Sequence, residues 1–480
     1  MARTSGIPAA LVCFIAALSV ATGQQIGTEI PEIHPELPTQ FCTRKDGCVV
    51  RKTKIVADVM FRPMHVKDNV SMPCTAAFGT ALCPDAATCT RNCVLEGVDY
   101  DSLGVATKGN ALKLNQYLFN GAEYKKVAPR VYLLGEDDRN YELMKLVNME
   151  LAFDVDVSQL GCGMNGALYF SEMDVSGSRS DLNPAGAAYG TGECDAQCFQ
   201  DQNFTNGVAN LEHPPPGACC NEMDIWEANR MATALTPHTC SKPSSFRCTG
   251  EECGKGKAGV CDKSGCQINP YKLGDKKFYG PGGTIDTNKR FTVLTQFVHE
   301  HPEAGIDISR AGPLKEIRRK YIQDGRVIED VHTSNASFSP LKGMDQRFCD
   351  TYGSEAYTRL GGIVGTGQSM ARGMVLIFSI WNSEGDFMKW LDAGDRGPCG
   401  PTDGDPKKIK QETPNVSVTY SNIKWGELGT VLGHDASPGA KGDEAKARLA
   451  ANSGGATAPA VTGGSVLGLA IVLLALVHLF

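Results

Sequence analysis

Apolar and polar residues alternate along several short stretches of the chain, the period of a strand with one buried face. Leu151-Ala-Phe-Asp-Val-Asp-Val157 puts Leu151, Phe153, Val155 and Val157 on one side, and Arg290-Phe-Thr-Val-Leu-Thr-Gln-Phe297 repeats the pattern. Val416-Ser-Val-Thr-Tyr420 is a third such segment. Gly373-Met-Val-Leu-Ile-Phe-Ser-Ile-Trp381 is a near-continuous apolar run, suited to a strand covered on both faces. Gly/Pro/Asn-rich loops separate these segments, and sustained helical periodicity is scarce. The pattern predicts an all-β body, a sandwich or jelly roll. No Pro/Ser linker interrupts it before position 430, so roughly four hundred residues form one large domain.

One stretch carries most of the chemistry: Cys219-Cys220-Asn221-Glu222-Met223-Asp224-Ile225-Trp226-Glu227-Ala228-Asn229. Its three carboxylates are interleaved with Met, Ile and Trp, which reads as a strand with one face in a core and one in a cleft. On a regular strand Glu222 and Asp224 point the same way and Glu227 the other. A bulge between Asp224 and Glu227 brings the third carboxyl back. Two carboxyls about 5 Å apart in a cleft are the working parts of a retaining glycosidase. One attacks the anomeric carbon; the other protonates the leaving oxygen and later activates water. Crowding of like charges raises the acid's pKa towards the working pH. A metal site and a solvated acidic edge are the competing readings. The apolar interleaving disfavours both, and the residues by themselves leave them open.

With Ala234-Leu235-Thr236-Pro237-His238 following it, this Glu-x-Asp-x-x-Glu core resembles the family 7 glycoside hydrolases, the fungal-type cellulases, and the likeness runs from His34 to about Gly433. The resemblance implies a curved antiparallel, concanavalin-like sandwich whose concave sheet carries a long substrate groove. It implies Glu222 as nucleophile, Glu227 as acid/base, Asp224 as support for the nucleophile and His238 as a neighbour of the acid/base. Asn165 and Tyr169 would line the groove, Asp195 and Gln197 would hydrogen-bond sugar hydroxyls, and Arg130 matches a groove arginine. Trp381 and Trp390 match stacking platforms flanking the cleavage point, and Arg396 lies near a product-end arginine. Turn chemistry for Asn165 and Asp195, strand packing for Tyr169 and core packing for the tryptophans are the ordinary alternatives; as a set in matching frames, ligand contact is the better reading. Core packing suits Trp226 and Trp425.

Arg3, the apolar run Ile7–Val20 and Ala21-Thr22-Gly23 form a secretory signal with cleavage expected after Gly23. Removing it discards Cys13 and leaves an even, dense cysteine set, which in an oxidising compartment reads as disulfides rather than zinc. The resemblance implies the pairs Cys42–Cys48, Cys74–Cys93, Cys83–Cys89, Cys162–Cys399, Cys194–Cys220, Cys198–Cys219, Cys240–Cys261, Cys248–Cys253 and Cys266–Cys349. Sequons begin at Asn69, Asn203, Asn335 and Asn415. Residues 24–432 are read as the catalytic domain. Residues 433–465 are a polar linker with Asn452 or Ser453 as attachment point, and 466–480 the hydrophobic tail of a GPI-anchor signal. A transmembrane helix is the alternative, but fifteen apolar residues fall short of the roughly twenty needed to span. The formal net charge of −7, with no basic stripe among aromatics, disfavours nucleic acid as a partner. No phosphate-binding loop or metal-ligand constellation suggests a cofactor. A secreted or surface-anchored monomer acting on cellulose or a related β-1,4-glucan is expected.

Mode of action is read from what is short or missing. Phe61 and Pro63, in Met60-Phe61-Arg62-Pro63-Met64-His65, stand where the family usually has entrance tryptophans. Asn210–Ala218 and Leu391–Pro398 are short beside the loops that roof a cellobiohydrolase tunnel. An open groove admits internal bonds, so endo action is favoured, with cellobiohydrolase action as the alternative. Ile225-Trp226-Glu227-Ala228-Asn229 is the wording typical of cellobiohydrolases and keeps that alternative in view. A non-catalytic carbohydrate-binding protein is the second alternative, and a xylan, xyloglucan or mixed-linkage backbone stays open.

Overall fold

The computed structural model describes residues 23–432. The expected signal segment before Gly23, and the linker and tail from 433 onward, lie outside the described residues. Ten strands carry the architecture: β1 (Lys54–Ala57), β2 (Arg130–Leu134), β3 (Met149–Asp156), β4 (Asn165–Ser171), β5 (Glu222–Ala228), β6 (Thr233–His238), β7 (Phe291–His299), β8 (Leu314–Gln323), β9 (Met374–Trp381) and β10 (Ser417–Glu427). The three alternating segments are β3, β7 and the first part of β10, and the apolar run is β9, buried from Met374 to Ile380.

Strands β6, β5, β4, β9, β2 and β1 lie side by side, in that order, in a seven-stranded sheet. Strands β8, β7, β3 and β10 are neighbours within a ten-stranded sheet. All these pairings are antiparallel. Between the sheets, Phe153, Leu168, Phe170, Trp226, Phe297, Phe378 and Tyr420 share one apolar core. Trp226 is its hub, meeting Phe153, Tyr279, Phe291 and Tyr321 edge-on at 5.8–6.4 Å between ring centres. Trp425 packs on Phe41 at 4.5 Å.

The outer face of the seven-stranded sheet is divided. Tyr132, Tyr169, Val375 and Ile377 are covered by the segments around Cys194 and Cys220. One row of this face crosses four strands: Glu227 on β5 stands beside Ala167 on β4, Ser379 on β9 and Arg130 on β2. Three strand spacings make this row about 14 Å long. Its middle is floored by small side chains, which leaves room above the sheet.

Nine disulfides form, in the pairing the resemblance implies. Cys194–Cys220 and Cys198–Cys219 fasten one loop to the entry of β5 from both ends. Cys162–Cys399 spans 237 residues and ties the start of β4 to the loop after Trp390, where Asp392 also accepts hydrogen bonds from Gly163 N and Asn229 Nδ2 at 2.7 Å. Opening this bridge (Cys162→Ser with Cys399→Ser) is expected to cost about 2–5 kcal/mol, read as a lower Tm with far-ultraviolet circular dichroism retained. An unchanged melting point would show that the Asp392 contacts hold the junction alone.

Candidate active site

The bulge lies where the alternation of acidic and apolar residues required it. Against β6, Asp224 pairs with Thr236 and Glu227 with Ala234; against β4, Met223 pairs with Phe170 and Trp226 with Leu168. Each neighbour advances two residues while β5 advances three, and Ile225 has no register partner on either side. Ile225 and Trp226 therefore both enter the core, fully buried, and Glu227 returns to the face that carries Glu222 and Asp224. The carbonyl of Ile225 is taken up by Arg319 Nη2, reaching across the sandwich from β8.

Each carboxyl has its own setting. Glu222 Oε2 accepts the backbone N–H of Ala196 at 3.0 Å. Glu227 Oε1 accepts Asn165 Nδ2 at 2.9 Å. The orientation of that amide is fixed, because Asn165 Oδ1 accepts the Ala228 N–H at 3.1 Å. Asp224 Oδ2 lies 3.1 Å from His238 Nε2. The Nδ1 of His238 lies 3.1 Å from the Asp262 carbonyl and 3.6 Å from its carboxylate. The direct partner of His238 is thus Asp224, and the charge of His238 also reaches Glu227. Asp224 likewise meets the imidazole and not Glu222, since two ionised carboxylates repel and an imidazolium attracts. The Asp262 loop closes this tightly because Gly265 turns with φ +69°, where a Cβ would lie 2.3 Å from Thr236 Cγ2 and 2.9 Å from His238 Cε1.

Burial and the charge of Asp224 push the Glu227 carboxyl up to about 8. Burial, then Asp224 and Asp195, raise Glu222 as well. Burial opposes charge on His238, but its bonds to Asp224 and Asp262 override this and hold it well above the ordinary histidine value. Glu222 and Glu227 each accept one neutral amide N–H, which favours the charged form of both against the burial that raises them.

The remaining groove candidates fall along the same face. Asn165 pairs with Trp381 across β4 and β9. The rings of Trp381 and Trp390 stack at 6.3 Å and 28°. Tyr169 is buried under the Cys194 loop, close to the charges of Arg130, Glu193, Glu222 and Asp195. Asp195 Oδ1 is buried without a partner, and Gln197 is exposed, donating to the Lys263 carbonyl at 3.2 Å. Arg130 is clamped by Asp58 at 2.6 Å and Glu193 at 3.1 Å. With Met60, Arg62, Gln202 and Asn203 these three line a cavity of about 280 Å³. Arg396 lies on the other flank, bonded to Gln267 Oε1 at 2.6 Å beside Ile268, which bridges to Leu235 of β6. Glu193, Asp58, Asp262, Lys263 and Arg319 escaped the sequence reading. Only Asp262 had a usable signal, its place beside two paired cysteines.

Sandwich, groove and acidic strand together define a polysaccharide-cleaving enzyme of the carboxyl-pair class. The chain belongs to glycosyl hydrolase family 7, whose profile matches residues 26–432. It is 50% identical over 419 residues to a probable endo-β-1,4-glucanase of Aspergillus terreus, covering 87% of this chain and 96% of that one. The native endocellulase structure from Humicola insolens superposes with a TM-score of 0.78 at 42% identity, covering 85% of this chain and 100% of that chain. A family 7 cellobiohydrolase from Daphnia pulex superposes with a TM-score of 0.77 at 33% identity, over the same shares of the two chains.

The Asn165 hydrogen bond lowers Glu227 against the burial that raises it. Asn165→Ala is therefore expected to move the alkaline limb of the pH–rate profile upward from near 8, because the acid then keeps its proton longer. The rate should fall about tenfold through lost positioning. An alkaline limb that stays in place would remove Glu227 as the group that sets it.

Proposed function

We propose that this chain is a retaining, endo-acting β-1,4-glucanase that hydrolyses cellulose or a related β-glucan, with Glu222 as nucleophile and Glu227 as acid/base. The observation that carries the reading is the bulged strand, which turns both carboxyls onto one face, each held there by an N–H donor. In the first step Glu222 attacks the anomeric carbon, the glycosidic C–O bond breaks, and Glu227 gives its proton to the departing oxygen. In the second, Glu227 as carboxylate takes a proton from water, whose oxygen displaces Glu222 and restores the original configuration. Asp224 and His238 hold the pair apart in charge. Asn165 orients Glu227, and Trp381 and Trp390 offer faces for sugar rings.

Endo action is supported by the names of the relatives at high identity and by the short Asn210–Ala218 and Leu391–Pro398 segments. The reading also places the enzyme outside the cell as a monomer held by a GPI anchor at Asn452 or Ser453, with N-glycans on its exposed sequons. The Ile7–Val20 run, the Val466–Phe480 tail and the Asn-x-Ser/Thr sites support it.

Glu222→Gln is expected to abolish turnover while the protein still binds cello-oligosaccharides and melts normally; substantial residual hydrolysis would sink the nucleophile assignment. On carboxymethyl cellulose the wild-type enzyme should drop viscosity quickly and release mixed oligomers. Slow viscosity loss with dominant cellobiose would instead mean exo action from the Trp381/Trp390 end, and no hydrolysis would favour a carbohydrate-binding protein. Phosphatidylinositol-specific phospholipase C should release the enzyme from intact cells. Retention after treatment would exclude the anchor.

A further inference from the structure

Lys263 follows Asp262 and is half-buried at the edge of the acidic site. Its Nζ donates to the carbonyl of Ala196 at 2.9 Å, and Gln197 Nε2 donates back to the Lys263 carbonyl at 3.2 Å. The loop so fastened is the one that Cys194–Cys220 and Cys198–Cys219 pin to the entry of β5. It carries the Ala196 N–H that meets Glu222 Oε2 at 3.0 Å. Disulfides hold the loop to the strand; Lys263 holds it from the opposite side.

The charge of Lys263 also matters here. Glu222 is faced by Asp224 from its own strand, Asp195 from the loop, His238 from β6, the Tyr169 hydroxyl from β4, and Lys263 with Asp262 from the neighbouring turn. Two of these are cations. His238 is engaged by Asp224 and Asp262, whereas Lys263 makes no ion pair within 4 Å among the described residues and acts through space on Asp195 and Glu222. Burial lowers its own pKa from the lysine value, and Asp195, Glu222 and Asp262 oppose that fall.

We propose that Lys263 is a positioning residue of the hydrolysis: it fixes the loop whose N–H caps Glu222, and it supplies the cation that lets Glu222 stay ionised beside Asp195 and Asp224. The proposal rests on Glu222 being the nucleophile. Lys263→Gln keeps a donor for the Ala196 carbonyl and removes the charge; Lys263→Arg keeps both.

The experiment is the pH dependence of kcat/KM on a soluble aryl cellobioside for the full secreted enzyme and both variants, with melting curves alongside. In Lys263→Gln the acid limb should move up by about one pH unit, a roughly tenfold loss at the acid end, because the carboxylate has lost a stabilising charge. The alkaline limb, set by Glu227, should stay in place, and Lys263→Arg should return the acid limb. Trapping of the glycosyl-enzyme with a fluorinated cellobioside should show the same shift, and serves if hydrolysis by the variant is slow. Superimposable acid limbs would overturn the proposal, as would an equal loss at every pH, the mark of a mere loop staple. Turnover surviving in Glu222→Gln would overturn the nucleophile reading itself, a result the Lys263 profiles cannot mimic.

Discussion

An antiparallel ladder satisfies a backbone carbonyl only while the neighbouring strand keeps register, and at Ile225 neither neighbour does. With regular alternation in place of the bulge, Glu227 would turn into the sandwich and Trp226 out of it, and an unpaired carboxylate there costs many kcal/mol. With the bulge, the strand has an orphan carbonyl in the core. Arg319 resolves this by burying a guanidinium in an otherwise apolar layer. That solution is itself costly: Arg319 Nε and Nη1 have no partner, and burial lowers the pKa of the group. A core arginine tolerated at such cost indicates how strongly the fold depends on keeping the bulge.

The second constraint is electrostatic. Three carboxylates on one face, with Asp195 close by, cannot all be ionised without compensation. The compensation is asymmetric. His238 is fixed between Asp224 and Asp262, so a cation stands beside the middle carboxyl, while Asp224 raises both Glu222 and Glu227. Glu222 takes its N–H from the backbone of a loop and Glu227 from a side chain on the adjacent strand, so each carboxyl is held in place by a different part of the fold. The disulfides serve the same end, since a loop that supplies one N–H to Glu222 must not drift.

The strands were legible because burial on one face leaves period-two alternation in the sequence; β3, β7 and β10 follow it closely. The bulge was legible for a related reason, since three acidic residues that must share a face cannot do so at the spacing of Glu222, Asp224 and Glu227 on a regular strand. The partners were not. Arg319 meets Ile225 across 94 positions, and Glu193 and Asp58 meet Arg130 from separate loops. Such contacts leave no local period. The contacts of His238 were no more legible, since it meets Asp224 on the adjacent strand and Asp262 on a turn 24 positions away.

The near-equal TM-scores to an endocellulase and a cellobiohydrolase show that the sandwich does not set the mode of cleavage. What differs lies above the sheet. A processive enzyme must hold a glucan along its whole track, and flat indoles do this best. Here the stacked pair Trp381 and Trp390 stands near the acidic strand, while the far cavity is lined by Met60, Arg62, Arg130 and Glu193, with no tryptophan among its lining residues. Both of its arginines are already engaged, Arg130 by Asp58 and Glu193 and Arg62 by Glu32. Grip is concentrated where the bond is broken and weak at the distant end. A glucan gripped mainly at the tryptophan pair is not tracked to its end, and internal bonds outnumber ends.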